Sequence, residues 1–84
     1  MKNSVAAVII GRRLEALRKA KSLSQQKLAD DAGVGLATVK RIENATVSPS
    51  VDILISISQA LGIHLYELFA DEAITTSDKG KRHE

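Results

Sequence analysis

Apolar residues recur along most of the chain at the spacing of amphipathic helices. Ile10, Leu14 and Leu17 lie four and three residues apart, which predicts a first helix over about residues 9–21. The apolar residues 5–8 can extend this helix towards the N-terminus. No segment alternates apolar and polar residues with a period of two, so the pattern indicates an all-α protein.

Capping residues mark the boundaries of the later helices. Ser24 predicts the start of the second helix, because its hydroxyl can accept a hydrogen bond from a free backbone N–H, and Gly33 predicts its end. Ser50 and Gly62 bound the fourth helix in the same way. The helices predicted after the second lie over about residues 36–44, 51–61 and 63–69.

Eighty-four residues support one domain with a single modest core. We divide the chain into an N-terminal extension at residues 1–9 that can continue the first helix, a domain at 10–70, and a tail at 71–84. The tail is polar, charged and aperiodic, which predicts disorder. Five short helices joined by short connections predict an all-α helical domain.

Composition excludes several classes of function. The chain has no cysteine and two distant histidines, so we expect no disulfide, metal site or cofactor. No nucleophile, base and orienting group can converge, and we therefore expect no enzyme. The apolar run at residues 5–10 is too short to span a membrane, and Arg12 and Arg13 follow it directly. We expect an unprocessed cytoplasmic protein.

Charge is distributed unevenly within the net value of +2. Residues 1–44 hold nine Lys/Arg and four Asp/Glu, a balance of +5, whereas the other forty residues hold three and six, a balance of −3. A basic half suits a polyanion such as nucleic acid, since Lys and Arg that neutralise phosphates supply most non-specific affinity. On charge alone, a solvated charged surface is the simpler explanation.

The third predicted helix has an outward face with usable chemistry. Two short helices joined by residues 32–35 form the unit that places a second helix in the DNA major groove. Opposite Val39 and Ile42, one face of about 140° collects Leu36, Ala37, Lys40, Arg41 and Asn44. Lys and Arg can donate to guanine, whereas Leu and Ala can only contact an apolar group such as the thymine methyl. We therefore expect limited direct readout of bases.

Several motifs carry a family resemblance. They are S-Q at residues 24–25, L-A-D-D-A-G-V at 28–34, T-V-K-R-I-E-N at 38–44 and A-L-G-I-H-L-Y-E-L-F at 60–69. From about Ile10 to Phe69 the chain resembles the Cro/C1-type (XRE) helix-turn-helix family of bacterial and phage regulators. The resemblance implies a five-helix lambda-repressor-like domain in which helices 2 and 3 form the helix-turn-helix. It also implies a sequence-specific regulator, expected to be a repressor, that binds double-stranded DNA at a (pseudo)palindromic operator as a homodimer.

The resemblance also assigns roles to individual residues. Gln25 matches a phosphate-contacting position, residues 35–38 and Arg41 match the base-facing set, and Asn44 matches another phosphate contact. Arg18 and Glu43 match a partly buried ion pair that links helices 1 and 3. The expected DNA-binding residues are Gln25, Gln26, Gly35, Leu36, Ala37, Thr38, Lys40, Arg41, Asn44 and Thr46.

The chain departs from the family pattern at three positions. Family members often have glycine where this chain has Ser22 and Ala45, and a basic residue where it has Thr46. If positive φ is retained at the first two positions, each side chain costs about 1 kcal/mol. The alternative is a turn that shifts by one residue onto Asn44.

The fourth helix is more apolar than one core stripe requires. Four of its residues suffice for the core, namely Val51, Leu54, Ile57 and Leu61, and two further isoleucines remain. Surplus apolar surface is typical of a protein interface. Tyr66 and Phe69 lie at helical spacing and are also expected in the core. The expected dimer interface comprises Ile53, Ile55, Ile63, Leu65, Tyr66 and Phe69, with residues 5–9 as a further candidate.

A different class of function fits the same residues. The chain can be the DNA-binding antitoxin subunit that pairs with a toxin protein and autoregulates its operon. In that case Ile53, Ile55 or the tail would hold the toxin.

Overall fold

The computed structural model describes residues 4–70, which form four α-helices and one 3-10 helix. The helices are α1 (Val5–Ala20), α2 (Gln25–Ala32), α3 (Leu36–Glu43) and α4 (Val51–Leu61), followed by the 3-10 helix Leu65–Phe69. The prediction of an all-α domain is confirmed, but the fifth helix is a short 3-10 segment instead of an α-helix. The predicted disordered tail at residues 71–84 lies outside the described residues.

Serine and glycine residues set the helix ends. Ser24 Oγ accepts a hydrogen bond from the backbone N–H of Lys27 at 2.9 Å, which begins α2. Gly33 ends α2 with φ of 71°, a left-handed conformation that suits a residue without a Cβ atom. The same arrangements begin α1 at Ser4 and α4 at Ser50, and end α4 at Gly62.

One apolar core joins all five elements. Helix α3 packs against α1 and α2, α4 packs against α2, and the 3-10 helix packs against α1 and α4. The core residues are Ile10, Leu14, Leu28, Ala29, Val39, Ile42, Leu54, Ile57, Leu61 and Leu68. Within residues 4–70, no helix is both long enough and apolar enough to cross a membrane.

Val51 is not in the core, contrary to the prediction. It is 63% exposed, whereas Leu54, Ile57 and Leu61 are buried. Val51 is the first residue of α4 and lies about 40° around the helix from Ile55, which is also exposed. The side chain is therefore at the margin of the buried stripe, where no neighbouring element covers it.

Helices α1 and α3 approach each other closely at Gly11. A Cβ atom at this position would lie 2.5 Å from the carbonyl oxygen of Ile42 and 2.9 Å from that of Glu43. Both neighbours are backbone atoms, which cannot rotate away as a side chain can. Glycine at position 11 therefore allows α1 to cross the C-terminal end of α3.

Two residues other than glycine have positive φ. Ser22, between α1 and α2, has φ of 59°, and Ala45, after α3, has φ of 60°. Asn44 has φ of −86°, so the turn after α3 has not shifted onto Asn44. The chain thus keeps the left-handed turns at Ser22 and Ala45 and bears the steric cost of a Cβ atom at each.

Replacing Ser22 with glycine is expected to raise the free energy of unfolding by about 0.5 to 1 kcal/mol. Glycine removes a left-handed strain of about 1 to 2 kcal/mol, and its greater freedom in the unfolded chain offsets part of the gain. Ala45→Gly is the matched comparison: Ala45 is buried, so the loss of its methyl group cancels about 0.8 kcal/mol. Urea denaturation should show a clear gain for Ser22→Gly and little change for Ala45→Gly. A loss of stability for Ser22→Gly would contradict the argument.

Candidate nucleic-acid interface

The outer face of α3 carries four exposed side chains. They are Ala37, Lys40, Arg41 and Asn44, and they lie within an arc of about 100° around the helix axis. The buried residues Val39 and Ile42 lie on the opposite side. The core therefore fixes the rotation of α3 and directs this face outward.

Leu36 and Thr38 lie at the two margins of that face. Both are half-buried, and Leu36 packs against the core. The prediction that Leu36 projects outward together with Lys40 and Arg41 is therefore wrong. Leu36 is adjacent around the helix to the buried side of α3, and an apolar side chain at such a margin turns towards the core.

Gly35 precedes α3 as its N-cap. Its φ of −76° and ψ of 151° are extended, and a Cβ atom there would meet only the Thr38 hydroxyl oxygen, at 3.9 Å. No side chain caps this helix end. The start of the outer face of α3 is therefore formed by backbone and one methyl group, that of Ala37.

The two glutamines at the start of α2 have different surroundings. Gln25 Nε2 donates a hydrogen bond to Glu43 Oε1 at 2.9 Å, which ties α2 to the last residue of α3. Gln26 Nε2 donates to Asp30 Oδ1 at 2.9 Å, one turn along the exposed side of α2. Gln25 is thus connected to α3, whereas Gln26 is connected only to its own helix.

Arg18 and Glu43 form a buried ion pair. Arg18 Nε and Nη2 donate to the two carboxylate oxygens at 2.7 and 3.0 Å, and the side chains are 9% and 3% exposed. The third nitrogen, Nη1, donates to the carbonyl oxygen of Leu23 at 2.7 Å. The hydrogen bonds to Glu43 raise the pKa of Arg18, although burial acts in the opposite direction. This pair therefore holds together α1, α3 and the loop before α2.

Asn44 and Thr46 follow α3. Asn44 is the C-cap of α3, and its side chain is exposed. Thr46 is also exposed, but its hydroxyl donates to the carbonyl oxygen of Arg41 at 3.2 Å, as does its backbone N–H at 3.0 Å. The Thr46 hydroxyl hydrogen is therefore used within the protein, at the end of α3.

Of the eight Lys and Arg residues between positions 4 and 70, three form a salt bridge with a carboxylate of the described structure. Arg18, Lys19 and Lys27 each pair with a carboxylate of the protein. Lys40 and Arg41 are exposed and have no acidic partner in the part of the chain that the structure describes. Their positive charge is available to an external anion.

The candidate dimer residues divide by exposure. Ile53, Ile63, Leu65 and Phe69 are half-buried and pack against the core. Ile55 is 37% exposed and Tyr66 is 66% exposed, so Tyr66 does not contribute to the core as predicted. The His64 ring stacks on Tyr66 with a centroid distance of 5.4 Å. We call Val51, Ile55 and Tyr66 the apolar surface.

Two structural contributors were not predicted from the sequence. Gly11 has a detectable signal, because a glycine inside an amphipathic helical pattern costs about 1 kcal/mol and often marks close backbone approach. The carbonyl oxygen of Leu23 has no such signal, because any residue supplies one. Gly11 sets the approach of α1 to α3, and the Leu23 carbonyl ties the loop before α2 to Arg18 of α1.

Known proteins share the fold of this chain. A helix-turn-helix family model matches residues 14–68. The restriction-modification controller protein C.AhdI from Aeromonas hydrophila is 35% identical, with a TM-score of 0.77, over 79% of this chain and 100% of that chain. The P22 c2 repressor, solved with a synthetic operator, is 27% identical, with a TM-score of 0.66, over 70% of this chain and 89% of that chain.

A curated relative gives a similar result. The chain is 28% identical over 72 residues to an immunity repressor protein of Bacillus phage phi105, covering 86% of this chain. The match spans 50% of the immunity repressor's length.

Proposed function

Because the chain belongs to the Cro/C1-type (XRE) helix-turn-helix family, a family of DNA-binding regulators, we propose that it is a transcriptional repressor that reads a specific DNA sequence. The observation that carries this proposal is the outer face of α3, where Lys40 and Arg41 are exposed without an acidic partner among residues 4–70. The operator complex of the P22 c2 repressor and the immunity function of the phi105 relative support it.

In this proposal α3 enters the major groove and Arg41 is the principal reader of bases. Its guanidinium can donate two hydrogen bonds to guanine O6 and N7. Ala37 offers a methyl group, which suits the methyl of thymine. Lys40 adds a further donor, and the remaining specificity comes from the shape and deformability of the DNA.

Phosphate contacts fix the protein on the DNA backbone. Gln25 lies at the start of α2, where the helix dipole favours an anion. Asn44, at the other end of the helix pair, is exposed for a second contact. Thr46 has only its oxygen lone pairs free and is a poor phosphate donor, because its hydroxyl hydrogen is bonded to Arg41.

Replacing Arg41 with alanine is expected to weaken binding to the operator by about 1 to 3 kcal/mol and to relax base preference. The operator is first identified by selection of bound sequences from a random DNA pool. Gln25→Ala should weaken binding to all sequences alike, because it removes a backbone contact. Arg12→Ala removes the same charge from the exposed side of α1 and is the control. Unchanged affinity and footprint for Arg41→Ala would overturn the readout model.

We propose further that the protein binds as a homodimer. The three apolar side chains of this surface are exposed to water, and the half-buried Ile63, Leu65 and Phe69 lie in or beside the 3-10 helix. A twofold dimer would place two copies of α3 about 34 Å apart, one turn of DNA, on a (pseudo)palindromic operator.

Sedimentation at a few tens of micromolar is expected to show a dimer. Ile55→Glu together with Tyr66→Glu should give a monomer, because the two carboxylates would be buried at the interface. Ala16→Glu, at an exposed position of α1, is the control for added charge. Wild-type protein that sediments as a monomer would contradict the dimer.

We do not propose that the protein is an antitoxin subunit. None of the relatives named above is described as an antitoxin, so they do not support a toxin partner. We propose a cytoplasmic location in a bacterium, and the phage repressor relative supports a bacterial or phage origin.

A further inference from the structure

The carboxylate of Glu43 is shared between two elements. Its Oε1 atom accepts hydrogen bonds from Arg18 Nη2 at 3.0 Å and from Gln25 Nε2 at 2.9 Å. Its side chain is 3% exposed and lies at the end of α3. Gln25 is the first residue of α2 and is half-buried. Glu43 therefore connects a residue that we place on the DNA backbone to the ion pair behind the recognition helix.

This contact fixes which end of the Gln25 amide faces α3. A carboxylate can only accept hydrogen bonds, so the NH₂ end of the amide must point towards Glu43. The second N–H of the same nitrogen has no partner among the residues that the structure describes. A phosphate oxygen can likewise only accept hydrogen bonds. Without Glu43, the amide could rotate and present its own oxygen to the phosphate, which would repel it.

We infer that Glu43 is a positioning residue for DNA-backbone binding, which acts by orienting the side-chain amide of Gln25 before DNA arrives. The inference rests on the proposed function, and Glu43 itself does not touch DNA. Arg18 assists, because its Nη1 atom holds the carbonyl oxygen of Leu23, two residues before Gln25. The start of α2 is thus aligned with α3 through both its backbone and its first side chain.

A double-mutant cycle on DNA affinity tests the inference. Glu43→Asp keeps a charge for Arg18 but is one methylene shorter and cannot reach both partners. It should weaken binding to operator and non-operator DNA alike by roughly fivefold, and Gln25→Ala should have a similar effect. If Glu43 acts through Gln25, the double variant binds no more weakly than Gln25→Ala alone. The inference would be overturned if the affinity losses of the two single variants multiply in the double variant, or if Glu43→Asp loses no affinity.

Glu15→Asp is the matched control, since it shortens an exposed carboxylate that pairs only with Lys19. Affinities are compared where urea denaturation shows every variant fully folded. Wild-type protein that fails to bind any DNA would overturn the proposed function and the inference together. If the wild-type protein binds DNA but the effects of Glu43→Asp and Gln25→Ala are additive, the inference is overturned and the proposed function is not.

A measurement on DNA-free wild-type protein keeps the test independent of whether Glu43→Asp folds. NMR relaxation of the side-chain amides should show a rigid Gln25 amide with slow hydrogen exchange. In Glu43→Asp the Gln25 amide should become mobile, whereas the Gln26 amide, which is bonded to Asp30, should not change. A mobile Gln25 amide in the wild-type protein would overturn the inference.

Discussion

Replacing Arg18 with alanine is expected to lower the free energy of unfolding by about 3 to 5 kcal/mol. Glu43 would remain in the protein with its side chain 3% exposed and without its cationic partner. The carbonyl oxygen of Leu23 would lose its donor as well. The penalty comes mainly from the stranded carboxylate, because removing one member of a buried pair leaves the other charge uncompensated.

Lys19→Ala is the matched control for this prediction. Lys19 also pairs with a carboxylate, that of Glu15, but the two side chains are 66% and 46% exposed. An exposed pair of this type contributes about 0.5 kcal/mol or less. Urea denaturation of both variants should therefore separate a large loss from a small one. Similar losses would show that burial does not determine the strength of the Arg18 pair.

The pKa of Arg18 sets the pH at which this contribution is lost. Its pKa is raised in the folded protein, so the stabilisation is fully present below the ordinary pKa of arginine. The contribution from the Arg18 charge is lost as the pH rises through the folded-state pKa of Arg18, under strongly alkaline conditions. Titration of Arg18 therefore adds no pH dependence to unfolding near neutral pH.

The helix boundaries were predictable because capping is a local effect. Ser24 and Gly33 act on backbone groups within three or four residues, so the sequence alone locates both ends of α2. Exposure is different, since it depends on elements that are distant in sequence. Val51 and Tyr66 have the apolar character of core residues, but no neighbouring element covers them. The 3-10 form of the last helix is likewise not specified by apolar spacing alone.

In the candidate site, too, positions that depend on one helix were predictable and positions that depend on packing between helices were not. The helical period predicts that Lys40, Arg41 and Asn44 share one face, because their angular positions depend only on α3. Leu36 was misplaced because its margin position meets a core formed by other helices. The hydrogen bond between Gln25 and Glu43 joins residues 18 positions apart and requires α2 and α3 to be packed first.

Gly11→Ala is expected to lower the free energy of unfolding by at least about 2 kcal/mol, although alanine is the better helix former. Its Cβ atom would lie 2.5 Å from the carbonyl oxygen of Ile42 and 2.9 Å from that of Glu43. Overpacking of this type costs about 1 to 3 kcal/mol or more, and overlap with backbone belongs at the upper end. The better helix propensity of alanine, about 1 kcal/mol, offsets only part of this overpacking cost. The midpoint temperature of thermal unfolding should fall by about 10 °C.

Ala16→Gly separates the two contributions, because Ala16 is exposed in the same helix and has no neighbour to overlap. That variant should lose about 1 kcal/mol from propensity alone. Alanine would then stabilise α1 at position 16 and destabilise it at position 11, a reversal that only the contact with α3 explains. Since the two carbonyl oxygens, those of Ile42 and Glu43, lie at the C-terminal end of α3, the same variant should also weaken DNA binding. A Gly11→Ala variant that is as stable as the wild type would mean that α1 and α3 are not in backbone contact.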